Sequence, residues 1–278
     1  MAEENNTPRP GLFEKGGKLG WLHSTADAFE TFLHVPGTVT RRGAHVRDAI
    51  DLKRVMIIVV IALVPAALFG MWNTGYQTST LYGLGWGFWM CFWKGLLKTL
   101  PLFIVSYGVG LAIEFASAQI RDEEVNEGYL VTGMLIPLIV PVDVPLWMLA
   151  IAVAFAVIFG KEVFGGTGMN IWNPALLARA FLFFSYPSKM SGSEVWIHAP
   201  KGVDAVSGAT PLALAGDGGV SALSGDLSLW HLFLGDIPGS IGETSAIAIL
   251  IGAVILIWTG VASWKIMVST VAGGLLVG

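Results

Sequence analysis

The sequence predicts an all-α fold: a polytopic bundle of membrane-crossing helices, preceded by a cytoplasmic segment with an amphipathic helix. Two observations carry this. Hydrophobic residues make up 54% of the 278-residue chain and charged residues only 13%, with a mean hydropathy of +0.68, far above that of a soluble domain. The apolar residues fall in runs approaching the roughly 20 that a hydrocarbon core demands. The single cysteine, Cys91, leaves no intrachain disulfide and no thiol set for an iron–sulfur or structural zinc centre. The net charge of -4 says less, because in membrane proteins the side on which charge sits matters more than its sum. No nucleic-acid partner is expected, and no metal-ligand set is apparent.

Residues 1–54 are hydrophilic and lack the apolar core of a signal peptide. Within them Leu22, Ala26, Phe29 and Leu33 recur at helical spacing, and Ser24 with Asp27 forms a capping box, so an amphipathic helix is expected on the bilayer surface or against a partner. The cluster Arg41, Arg42, Arg47, Lys53 and Arg54 then places the N-terminus in the cytoplasm. Residues 55–186 hold about five transmembrane helices. The first, 55–72, contains Pro65 and is expected to kink there. Trp86, Phe88, Trp89, Phe92 and Trp93 form an interfacial aromatic belt before the second, 97–119. Residues 128–160 are interrupted by Pro137, Pro141, Asp143 and Pro145, which predicts two short helices rather than one. Proline-broken segments of this kind belong to membrane folds built of repeats, so the chain reads as the first part of an inverted-repeat fold. After the apolar run 172–186, residues 187–244 form an external, periplasmic loop in which acids exceed lysines. Residues 245–278 return to the membrane, and the last run, from Trp264, stops at Gly278 short of a full crossing, which reads as a truncated polypeptide.

The polar residues have ordinary readings when taken alone. Asp204-Ala205-Val206-Ser207-Gly208-Ala209-Thr210-Pro211 is turn chemistry, with small neighbours that leave the Thr210 hydroxyl accessible. Asn170 and Asn173 are helix caps or inter-helix hydrogen-bonding groups. Arg179, in an apolar run, must pair or face a polar cavity. Gly108 and Gly110 provide backbone relief or helix packing, and Glu114 is an intramembrane carboxylate that serves as a ligand or as half of a structural pair. Gly165-Gly166-Thr167-Gly168 follows an apolar helix and lacks the strand–loop–helix setting of a dinucleotide site, so no nicotinamide is bound here. No catalytic residue is assigned.

The motifs together resemble a family. His45-Val46-Arg47-Asp48, Asp51-Leu52-Lys53-Arg54, Glu124-Val125-Asn126-Glu127-Gly128, Lys161-Glu162-Val163-Phe164-Gly165-Gly166-Thr167-Gly168, Asn173-Pro174-Ala175-Leu176 and Ile237-Pro238-Gly239-Ser240-Ile241-Gly242-Glu243 stand in the order found in the B-subunit family of the bacterial sodium-translocating NADH:quinone oxidoreductases. The central part also resembles the D subunit of the related Rnf complex. The resemblance implies FMN joined by a phosphoester to Thr210 outside the cytoplasm, with Asp204, Ser207, Gly208 and Ala209 completing the attachment motif. It implies a noncovalent riboflavin near Asn170 and Asn173 towards the cytoplasm. It also implies ubiquinone as substrate near Gly110, Glu114 and Tyr129, although of the family's glycine pair only Gly110 is present, with Leu111 beside it. Electrons would pass from a second covalent-flavin subunit to the Thr210 flavin, then to riboflavin and quinone, coupled to sodium export, in a complex of the bacterial inner membrane whose NADH-oxidising subunit is another chain. The alternatives are an Rnf-type electron-transfer subunit, or a solute channel or carrier without flavin.

Overall fold

The computed structural model describes residues 52–121, 125, 128–191, 195–198, 208–219 and 228–277, with residues 20, 23, 25, 26, 42–44 and 50 before them. Most of the amphipathic segment around Leu22 to Leu33, together with Arg41, Arg47, Glu124, Asp204 and Ser207, lies outside the described residues. Among the described residues all regular structure is helical. The apolar sequence thus yields a helical membrane bundle, as its composition predicts.

Helices α1 (Leu52–Leu81) and α2 (Phe88–Arg121) form an antiparallel pair. The turn between them is made possible by Gly83 and Gly85, both at positive φ. The helix continues through Pro65 and, in α2, through Pro101. The two helices approach closely at small residues: a methyl at Gly75 would overlap the Cys91 carbonyl, and one at Gly95 that of Met71. Small residues at such contacts let apolar helices gain dispersion energy where no water remains to be expelled.

Residues 128–160 form α3 (Gly128–Ile139) and α4 (Leu146–Gly160). Pro141 and Pro145, which cannot donate to a helical ladder, occupy the break. Next come α5 (Pro174–Ser185), the short α6 (Pro187–Met190), α7 (Pro211–Gly218), α8 (Leu229–Leu234), α9 (Ala246–Trp258) and α10 (Trp264–Val277). By length and composition α1, α2 and α4 with its following 3-10 turn suffice to cross a membrane, whereas α3, α5, α9 and α10 are shorter apolar helices.

The core lies where α2, α3, α4 and α5 meet, around Leu102, Tyr129, Ile136, Leu149, Val153, Val157, Ala178 and Leu182. Helix α1 packs on α2, α3 and α9. Large apolar residues such as Ile104, Val254 and Trp258 point outwards, as lipid-facing positions require. Helix α10 buries none of its residues.

Two polar layers mark the ends of the bundle. Helices α2 and α4 run in the same direction, so Lys98 meets Asp143 before α4 begins, while Glu114 meets Lys161 just after α4 stops. Residues 236–244 pack into the Asp143 half. Asn73 and Gln77 of α1 donate to the carbonyls of Ile237 and Asp236 at 2.9 and 2.8 Å. The Gly242 amide donates to the Leu138 carbonyl at 2.8 Å, which α3 leaves unpaired by stopping one residue later.

Candidate functional site

At the Lys161 end, three residues singled out in the sequence come together. The Lys161 ammonium pairs with Glu114, both side chains being 4% exposed, and the Tyr129 ring lies 6.0 Å from Lys161 Nζ, within cation–π reach. The Tyr129 hydroxyl donates to the Ser106 carbonyl at 2.7 Å. A methyl at Gly110 would overlap the Tyr129 ring, so the glycine makes room for an aromatic side chain of the next helix. Gly108 faces open space instead. Towards the surface Glu162 accepts from Ser117 at 2.6 Å and pairs with Arg121 at 3.3 Å. Each carboxylate therefore has a cation, which is the condition for burying either charge.

Asn173 caps α5: its side-chain oxygen accepts from Ala175 N at 2.9 Å and Leu176 N at 3.5 Å. Pro174 follows at the first helical position, where no donor is missed. Among the described residues only the amide oxygen is used, which leaves the Asn173 amide nitrogen for another acceptor. Asn170 is occupied within its own turn, accepting from Gly168 N at 3.3 Å and donating to the Trp172 carbonyl at 2.8 Å. That loop joins the Lys161 end, since a methyl at Gly128 would press on Thr167. Arg179 is paired, with Glu243 at 3.0 Å, but the two side chains are 35% and 51% exposed. The pairing expected for Arg179 is thus found, at a site that is only partly covered. Helix α5 turns Ala175, Ala178 and Leu182 inwards, and Arg179 falls off that face.

At the opposite end, Asp143 gathers partners from a separate helix and a distant loop. His198 Nδ1 lies 2.9 and 3.1 Å from its oxygens, and Lys98 pairs with it as well. Burial alone would raise the Asp143 carboxyl, but hydrogen bonds from His198 and Lys98, and their charges, outweigh it and hold the group below its ordinary value. Gly208 packs against Ile197, where an added Cβ would stand 2.5 Å from Ile197 Cγ1. The Thr210 segment is thereby held at this end, beside His198. Thr210 caps α7, its hydroxyl oxygen accepting from Ala213 N at 3.2 Å. Of the proposed attachment motif, Gly208, Ala209 and Thr210 are placed, while Asp204 and Ser207 are among the undescribed residues.

Sequence reading missed the roles of Lys161, Lys98 and His198. For Lys161 a signal existed: a carboxylate inside an apolar run demands a cation, and few stand near that depth. Nothing local marks His198, whose partner lies 55 residues away.

The fold and its polar layers define a polytopic helical membrane protein with charged pairs set between its helices. The profile of the NQR2, RnfD, RnfE family matches residues 39–278, and the chain belongs to that family. It is 45% identical to the B subunit of the Na(+)-translocating NADH-quinone reductase of Stutzerimonas stutzeri (strain A1501), over 94% of this chain and 70% of the relative. It is 44% identical, with the same coverage, to the protein of that name from Azotobacter vinelandii. With the corresponding protein of Chromohalobacter salexigens the identity is 43%, over 94% of this chain and 68% of the relative.

Proposed function

We propose that the chain is the membrane subunit of a sodium-translocating NADH:quinone reductase that relays electrons from FMN esterified to Thr210, through riboflavin, to ubiquinone, coupled to sodium export. NADH is oxidised on another subunit, and a further covalent-flavin subunit feeds the Thr210 flavin. The basic cluster before α1 supports an inner-membrane topology with the Lys161 end in the cytoplasm and Thr210 in the periplasm.

The observation that carries this reading is the position of Thr210. Its oxygen stands at the N-terminus of α7, where the first amide groups have no partner within the helix and the dipole is positive. A phosphoester there would meet donors already aimed at it, and the Ala213 amide that now bonds the hydroxyl could turn to a phosphate oxygen. When bound, the flavin supplies one-electron transfer, for which this chain has no thiol-held cluster. The residues themselves position it: Gly208 seats the segment on Ile197, and Pro211 fixes the start of the helix. At the other end, the unused Asn173 amide nitrogen suits a riboflavin carbonyl, and the Gly110, Glu114 and Tyr129 cluster adjoins the quinone.

The test is a denaturing gel viewed under ultraviolet light. The band of this chain should fluoresce, and Thr210→Ala should abolish that signal and impair quinone reduction while the protein still inserts. A fluorescent Thr210→Ala band would refute the attachment. A dark parent band, from cells able to attach flavin, would favour a carrier without flavin.

A further inference from the structure

Next to the Thr210 segment lies a cavity of about 680 Å3, walled in part by Tyr82, Trp86, Lys94, Lys98, Thr78 and His198. Its size falls within the range of small-molecule sites, and its wall is chemically specific. Lys94 Nζ stands 6.0 Å from the Trp86 ring and has no carboxylate in ion-pair range among the described residues. Lys98, by contrast, shares Asp143 with His198. The Tyr82 hydroxyl is buried and finds no hydrogen-bond partner among the described residues, an arrangement that is costly unless something else completes it. An indole face and an ammonium with no carboxylate in range among the described residues suit a flat aromatic group that carries or acquires negative charge.

The wall is linked to the segment that bears Thr210 through residues 197 and 198. Ile197, which seats Gly208, immediately precedes the wall residue His198, and Gly208 is two residues from Thr210.

We propose that this cavity receives the ring system of the flavin carried by Thr210, with Trp86 against the ring and Lys94 setting its charge. The inference rests on the attachment proposed above and adds where the ring goes and what tunes it. Added electron density leaves negative charge on such a ring, and an ammonium with no carboxylate in range among the described residues favours that state. Lys98 contributes less, because Asp143 offsets it.

The experiment uses the complete membrane complex and reads attachment and environment separately. In-gel fluorescence reports attachment. Native flavin emission and a spectroscopic redox titration report the ring's surroundings, each taken as the difference from Thr210→Ala so that only this flavin counts. Trp86→Leu should raise native emission, because a stacked indole quenches it. Lys94→Gln should shift this flavin's midpoint potential to more negative values, and Lys94→Arg should keep it near the parent value. All three variants should keep the fluorescent gel band. A fluorescent band with emission and potential both unmoved would overturn the placement while leaving attachment intact. A dark parent band would overturn attachment and, with it, the placement.

Discussion

Glu114 and Lys161 show how a buried charge decides its surroundings. Because both side chains are 4% exposed, removing one leaves the other charged and desolvated, a loss of about 3–5 kcal/mol, whereas removing both is far less damaging. Lys161→Met alone should therefore lower the thermal stability of the solubilised protein steeply, and Glu114→Gln combined with Lys161→Met should recover much of it. A double variant as unstable as the sum of the singles would show that the pair does not interact. Glu114 is legible in the sequence as a carboxylate in an apolar run, but its partner is 47 residues away and meets it only because α2 and α4 run in the same direction. Gly110 is a similar case. The sequence offers helix packing or a ligand site, and only the placement of Tyr129 shows what fills the space beside it.

At the scale of elements, the end of one helix and the start of another carry the separable effects. Asn173 both caps α5 and offers an amide nitrogen with no partner among the described residues, so substitutions can divide the two. Asn173→Asp retains the capping oxygen and should keep stability but lose extractable riboflavin. Asn173→Leu should lose riboflavin and also about 1 kcal/mol of stability. Riboflavin unchanged in both, measured after extraction, would remove Asn173 from that site. The turn between α3 and α4 makes a pH prediction. Asp143 titrates below its ordinary value in the fold, so its stabilising contribution is full above the usual carboxylate range, about pH 4, and is lost as the pH falls through the lower folded value. Thermal stability should therefore decline in that acidic window, and Asp143→Asn, already less stable near neutrality, should show a shallower decline. The break itself was readable from Pro141 and Pro145. Its partners were not, since Lys98 and His198 come from a separate helix and a distant loop.

Across the whole molecule, the long apolar helices and the proline break follow from composition and spacing, which are local properties of the chain. The assembly of each polar layer is not local: Lys98 with Asp143 and Glu114 with Lys161 depend on the register of two helices, which no motif encodes. The Thr210 motif was visible as small residues around a hydroxyl, but its seat on Ile197 came only with the fold.

The docking of residues 236–244 into the bundle has a practical corollary for protein engineering. Five successive anchors hold this stretch: Asp236 to Gln77, Ile237 to Asn73, the Ile241 carbonyl against Gly70, Gly242 to Leu138 and Glu243 to Arg179. An affinity tag or protease site inserted between Ile237 and Glu243 would throw every later anchor out of step. The same insertion after Gly219, where α7 has ended, leaves all five aligned. Membrane yield and detergent stability should collapse for the first graft and stay near the parent level for the second, which makes the latter the handle of choice for purification.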